Sequence, residues 1–121
     1  MRVLVSAGEA SGDLYAARVV EILKSRHPEA QFFGCAGPLM QAQGVDPVVD
    51  SRSLSVLGLV EVIRHIPRIR KEMQKLMQAA ADRHPEVALL TDSPGFHLRA
   101  AKGLKHLGIP IDHLKIGRAH V

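Results

Sequence analysis

The stretch Val3-Leu4-Val5-Ser6-Ala7-Gly8-Glu9-Ala10-Ser11-Gly12-Asp13 restricts the fold more than any other part of the chain. Val3, Leu4 and Val5 do not alternate with polar residues, so they suit a strand covered on both faces rather than a half-exposed one. Gly8 and Gly12 then permit a tight turn and a close approach by a ligand. Ser11 or Asp13 is placed to cap a helix along which Ala16, Val19, Val20 and Leu23 form one apolar stripe. A loop between strand and helix lies at the strand's carboxyl end, where open α/β sheets hold their ligands. Capping needs neither Glu9 nor a second glycine, so Gly8-Glu9-Ala10-Ser11-Gly12-Asp13 reads as a binding loop. It lacks the third glycine of the dinucleotide fingerprint, which argues against NAD.

The alternation continues. The first helix should end near Arg26-His27-Pro28, and Gln31-Phe32-Phe33-Gly34 reads as a second strand ending in a glycine turn. Pro38 suits the first turn of a short helix through Gln43, with Gly44 as its stop, and Val48-Val49 forms a brief third strand. This order predicts an open, mainly parallel sheet with right-handed crossovers and helices on both faces. Pro67 should separate two helical pieces, the second reaching about Ala81 with Ile69, Met73, Leu76, Met77 and Ala80 inward. A buried strand from Pro85 to Thr91 delivers Asp92 to its carboxyl end, and Pro94-Gly95 makes the turn. Phe96, Leu98, Ala101, Leu104 and Leu107 are expected to line the next helix, which Gly108 stops before a strand opening at Ile109-Pro110-Ile111.

The apolar residues Val60, Val62, Ile63, Ile66 and Ile69 exceed what one buried stripe needs, and Arg64, Arg68, Arg70 and Lys71 lie among or beside them. Two readings stand: a core helix with a solvated basic face, or an apolar patch that dips into an anionic membrane surface or receives acyl chains.

Composition narrows the function classes. With 3% aromatic residues and a net charge of only +4, recognition of nucleic acid by stacking and counter-charge is not expected. No run approaches the ~20 apolar residues that span a bilayer. Glu9 and Asp13 come too early for a secretory signal, so cytoplasm is the expected location. The single cysteine, Cys35, reads as a small buried residue, and the seven histidines show no paired metal spacing. No metal or other cofactor is expected.

Four blocks carry a resemblance: Gly8-Glu9-Ala10-Ser11-Gly12-Asp13, Gly34-Cys35-Ala36-Gly37-Pro38, Leu54-Ser55-Val56-Leu57-Gly58-Leu59-Val60-Glu61-Val62 and Asp92-Ser93-Pro94-Gly95-Phe96. In this order and at roughly this spacing they resemble the amino-terminal part of the lipid-A-disaccharide synthases, over residues 2 to about 111. The resemblance implies the amino-terminal, acceptor-side half of a GT-B type glycosyltransferase built from two facing Rossmann-like domains. It implies metal-independent transfer, with inversion, of a diacylglucosamine unit from UDP-diacylglucosamine to diacylglucosamine 1-phosphate. The implied setting is the inner face of the bacterial inner membrane, with a homodimer possible for the full-length protein. Because the donor-binding domain of such enzymes is carboxyl-terminal, transfer by these 121 residues alone is not expected.

Inverting transfer needs one base to deprotonate the acceptor hydroxyl, not the carboxylate pair of a retaining hydrolase. By its match to the family's Asp-Ala-Pro-Asp-Phe-Asn block, Asp92 is the implied base, and burial beside Phe96 is the expected means of making it basic enough. The competing local reading of Asp92 is a helix cap on Ser93-Pro94. Glu9 is the second candidate carboxylate. The resemblance implies that Glu9 and Ser11 orient the acceptor sugar or its phosphate, with Gly8 and Gly12 shaping the loop and Gly37 and Pro38 the neighbouring wall. Helix amides behind Gly12 suit an anionic group, whereas Asp13 would repel phosphate and reads as a structural cap. Arg99 and Lys102, one turn apart, are candidates for phosphate or for water. Gly95 and His97 depart from the block, which usually has aspartate and asparagine there, so the resemblance carries no role to them.

The closing Ile116-Gly117-Arg118-Ala119-His120-Val121 matches what a common sequencing adapter encodes in one frame. Residues 112–121 are therefore expected to be a non-native tail on an incomplete domain of residues 1–111, the alternative being a genuine short terminus. Two other function classes compete with the enzyme: a stand-alone α/β ligand-binding module, and a peripheral membrane-binding domain without catalysis.

Overall fold

The computed structural model of the chain describes residues 1–54, 66–91 and 96–114. Its elements run β1 (Arg2–Ser6), α1 (Ala10–Arg26), β2 (Gln31–Ala36), α2 (Pro38–Ala42), β3 (Asp46–Asp50) and a 3-10 turn at Ser51–Leu54. Then come α3 (Ile66–Arg83), β4 (Val87–Thr91), α4 (Phe96–His106) and β5 (Ile111–Leu114). Among the described residues all strand pairings are parallel, and the strand order is β3-β2-β1-β4-β5. From β1 the chain winds outward to β3, then returns to the other side of β1 for β4. That reversal is the topological switch point of a Rossmann-like sheet, and it puts the ligand crevice beyond the carboxyl ends of β1 and β4.

The unbroken apolar run at Val3-Leu4-Val5 is explained by this position. Strand side chains alternate between faces. Val3 and Val5 join Phe32 and Leu89 beneath Ala16, Ala17 and Val20 of α1 and Met40 of α2. Leu4 joins Phe33, Cys35, Ala88 and Leu90 beneath Leu76 and Ala80 of α3 and Ala100 and Leu104 of α4. Each face of the sheet is thus covered by its own helix pair, as the sequence predicts.

Three local expectations change. Gly34 does not end β2. The strand runs on to Ala36, and its pairing with β3 shifts register between Gly34 and Cys35. At φ 150° Gly34 occupies a backbone conformation that L side chains avoid, and any Cβ there would collide with the Val5 carbonyl, so the glycine serves the interior of the sheet. Helix α1 starts at Ala10 with Glu9 at its N-cap and no side-chain capping bond, so neither Ser11 nor Asp13 caps it. In α4 the buried positions are His97, Ala100 and Leu104, while Leu98 is 66% exposed and Leu107 is also exposed. Leu98 and Leu104 are six residues apart, about 240° around a helix of 3.6 residues per turn, whereas positions 97, 100 and 104 form one stripe.

Helix α3 begins at Ile66, with Pro67 tolerated in its first turn, and buries Leu76 and Ala80 together with Glu72. Arg68 is exposed and Ile69 half-buried. The rest of the sequence-derived patch, Val60, Val62, Ile63 and Arg64, and the helical piece before Pro67 lie outside the described residues, as does the side chain of Ile66. Strand β5 pairs with β4 from Ala88↔Ile111 to Thr91↔Leu114, and residues 115–121 lie outside the described residues. Among the described residues no helix is long and apolar enough to cross a membrane.

Candidate functional site at the carboxyl edge of the sheet

The loop after β1 opens at the carboxyl edge and is shorter than the sequence suggests: it ends at Glu9, and Ala10 to Asp13 form the first turn of α1, with Gly8 half-buried and Glu9 and Ser11 exposed. Gly12, in the first turn of α1, is buried against β4. A Cβ there would come 3.0 Å from Thr91 Oγ1 and 3.4 Å from Ala7 Cβ, so the missing side chain lets the helix start close to the strand ends.

Asp13 turns away from its own helix and caps another. Its Oδ1 accepts from the backbone N–H of Gly37 at 3.1 Å and of Met40 at 3.0 Å, and its Oδ2 from that of Leu39 at 2.9 Å. One buried carboxylate thereby satisfies three amides at the start of α2 that the helix itself leaves open. Gly37 follows from this contact, since a Cβ on it would lie 2.6 Å from Asp13 Cγ and 2.8 Å from Ser51 Oγ. The clamp joins the first turn of α1 to the turn at Gly37-Pro38, so the predicted site segments at residues 8–13 and 37–38 share one rim. Gly37 is buried and Pro38 exposed.

A second buried group of polar residues lies between β1, β4 and α4. Ser6 Oγ is 2.7 Å from His97 Nε2, His97 Nδ1 is 2.6 Å from the Thr91 carbonyl oxygen, and Thr91 Oγ1 donates to the Ser6 carbonyl at 3.3 Å. The sequence reading gave none of these residues a role. The available signal was two polar residues, Ser6 and Thr91, ending otherwise apolar strands. Cys35, opposite Ser6 in the β1–β2 register, donates weakly to the Ala7 carbonyl at 3.4 Å, and burial pushes its thiol up to about 12. Such a thiol is not a nucleophile at neutral pH.

At the end of β3, Asp50 takes two bonds from the Arg52 guanidinium, at 3.1 and 2.7 Å, and one from the Arg52 amide at 3.0 Å. Chiefly through the Arg52 side chain, its carboxyl is held well below the usual carboxylate range. Asp50 is therefore a fixed negative charge already matched by its neighbour. Arg99 and Lys102 of α4 are exposed. Asp92, the predicted base, lies outside the described residues, but Thr91 immediately before it ends β4 beside this site.

The opposite end of the sheet offers a cavity of about 360 Å³ lined by Arg2, Lys24, Phe33, Asp46 and Arg83 among others. Its charges already have partners. Arg83 pairs with Asp46 at 2.8 Å and stacks over Phe33, while Arg2 and Lys24 each bond a backbone carbonyl. With the switch point at the other edge, this cavity is not the candidate site. Among the described residues no cluster of three or more His, Cys, Asp or Glu could share a metal ion.

Comparison with known proteins bears on the same segments. Residues 3–115 match the family model described as lipid-A-disaccharide synthetase. The chain is 54% identical over 113 residues to a lipid-A-disaccharide synthase of Solibacter usitatus, covering 93% of this chain and 30% of that protein. A synthase of Myxococcus xanthus is 51% identical over 110 residues, and one of Koribacter versatilis 46% identical over 112. The chain thus spans less than a third of the length of these relatives: 30%, 29% and 29%. In fold it is similar to a crystal structure from Listeria monocytogenes described as a UDP-N-acetylglucosamine 2-epimerase, with a TM-score of 0.65 at 16% identity, over 93% of this chain and 30% of that one. Sheet order, the ordered sequence blocks and the family match agree, and the chain belongs to the lipid-A-disaccharide synthetase family.

Proposed function

We propose that this chain is the acceptor-side part of an enzyme that transfers a diacylglucosamine unit from UDP-diacylglucosamine to diacylglucosamine 1-phosphate with inversion, releasing UDP. The observation that carries the reading is the rim at the carboxyl edge. The segment at residues 8–13, which is the end of the loop after β1 and the first turn of α1, is tied through Asp13 to the turn at Gly37-Pro38, within a chain whose family match runs from residue 3 to 115.

Each group has a defined task in this reading. Glu9, at the N-cap of α1, and Ser11, in its first turn, stand exposed and orient the acceptor, the Glu9 carboxylate by accepting from sugar hydroxyls and the Ser11 hydroxyl by bonding the sugar or its phosphate. The opening amides of α1 lack intrahelical acceptors and present positive dipole ends to the 1-phosphate. Gly8 and Gly12 keep the loop low enough for approach, and Gly37 and Pro38 form the adjoining wall. Asp92 takes the proton from the acceptor hydroxyl as its oxygen attacks the anomeric carbon opposite the leaving UDP. The donor is held by a domain beyond this chain, so the chain alone binds acceptor without turning it over. The patch at Val60, Val62, Ile63, Ile66 and Ile69, with Arg64 and Arg68, meets the acyl chains or the anionic face of the inner membrane, which is where the enzyme works.

Titration of the isotope-labelled chain with a short-chain diacylglucosamine 1-phosphate tests the site. Shifts should concentrate at the amides of residues 8–12 and of Gly37 and Leu39, and Glu9→Gln or Ser11→Ala should weaken binding by about tenfold, one charge-assisted hydrogen bond each. Shifts elsewhere, or none, would remove the acceptor assignment. Sedimentation with anionic vesicles tests the patch. Replacing Val62, Ile63 and Ile66 by serine should abolish lipid binding, and binding that survives removes the membrane role.

A further inference from the structure

We propose that His97 is a positioning residue for Asp92, acting through the peptide bond that joins Thr91 to it. The inference rests on the reading of Asp92 as the base; the contacts that carry it stand among the described residues.

His97, Ser6 and Thr91 are 4%, 0% and 1% exposed, so their polar atoms must find partners within the protein. They do so in a closed ring. The Thr91 hydroxyl donates to the Ser6 carbonyl, the Ser6 hydroxyl meets the imidazole, and the imidazole returns to the Thr91 carbonyl. A carbonyl oxygen only accepts, so His97 Nδ1 carries a proton. In the neutral ring Nε2 is then the acceptor, and the Ser6 hydroxyl donates to it. Helix α4 is thereby fastened at its second residue to the last residues of both β1 and β4.

The Thr91 carbonyl belongs to the planar peptide unit that continues into Asp92, so holding that oxygen fixes the plane from which Asp92 departs. Packing alone does not require an imidazole here. Position 97 shares a stripe with Ala100 and Leu104 against an apolar face, where a leucine would fill space without needing two partners. What leucine lacks is the donor for the Thr91 carbonyl. Misplacement of a reacting group by about 1 Å can cost on the order of 100-fold in rate, which makes a rigid exit from β4 a functional requirement.

Substitutions that each keep one half of the imidazole separate positioning from packing. Asparagine places its amide near the Nδ1 position and keeps the Thr91 bond; glutamine reaches toward the Nε2 position and loses it. In the unmodified chain, long-range proton–nitrogen correlation should show a protonated Nδ1. The backbone nitrogen resonance of Asp92, bonded to the held carbonyl, should stay in place in His97→Asn and move in His97→Gln. An imidazole protonated at Nε2 alone, or an Asp92 resonance unmoved in His97→Gln, would overturn the proposal, and the first of these needs no variant to fold. The base assignment fails separately. If Asp92→Asn in a full-length synthase carrying this chain retains transfer, Asp92 is not the base, whatever the imidazole shows. If Asp92→Asn abolishes transfer, His97→Gln should lower kcat by on the order of 100-fold with KM unchanged, and His97→Asn should restore it.

Discussion

Asp13 does its work at a distance of 24 to 27 residues, closing the start of α2 rather than of its own helix. Asp13→Ala should therefore cost about 2–3 kcal/mol in urea unfolding, the scale of a lost cap whose acceptor is charged. Gly37→Ala should cost roughly 1–3 kcal/mol because its Cβ would overlap the same carboxylate. Since the two substitutions damage one contact, the double variant should lose less than the sum. Cys35 gives a pH signature. Its thiol titrates near 12 in the folded chain against 9.0 unperturbed, so above pH 9 the folded state holds a proton that the unfolded state gives up. Stability from this group is complete below pH 9 and falls as pH rises toward 12. Thermal midpoints of the Cys35→Ala variant should decline less than those of the parent between pH 8.5 and about 10.5. That Cys35 is buried was readable from its small size and glycine-rich surroundings, although it lies in β2 and not in the turn that the sequence suggests. That Asp13 reaches α2 was not, because nothing in the local sequence names a partner so far along the chain.

At the scale of the element, periodicity placed the strands and helices well and failed where a polar residue belongs to the apolar stripe. In α4 the sequence reading built the helix on Phe96, Leu98, Ala101, Leu104 and Leu107, whereas the buried stripe runs through His97, Ala100 and Leu104. The structure sets a clear contrast. Leu104→Ala should destabilise by about 2–5 kcal/mol as a buried cavity, while Leu98→Ala should stay within about 0.5 kcal/mol. Equal losses would place Leu98 in the core after all. Gly34 failed for the converse reason. A glycine after aromatic residues reads as a turn, yet here it continues a central strand, because the obstacle is the Val5 carbonyl on the adjacent strand. Helix α2, only five residues long, is too short to be stable by itself and depends on Asp13 and on Met40 in the core.

For the whole molecule, a chain that spans less than a third of its relatives is expected, on the function proposed above, to hold the acceptor without the donor. Mixed with UDP-diacylglucosamine and acceptor, it should release no UDP above background while still binding the acceptor; UDP release by the purified chain would show that these 121 residues hold the donor as well. The sequence by itself determined the alternation of strand and helix, the coverage of both sheet faces and the two stretches, at residues 8–13 and 37–38, that meet at the carboxyl edge. Those properties follow from hydrophobic period and from glycine and proline placement, which are local. The tertiary structure alone decided which polar groups are consumed internally. Asp13 became a cap for a distant helix, and Ser6, separated from His97 by 91 residues, became its partner. Such pairings are set by the strand order that brings β1 beside β4, and burial then obliges the polar atoms meeting there to bond one another.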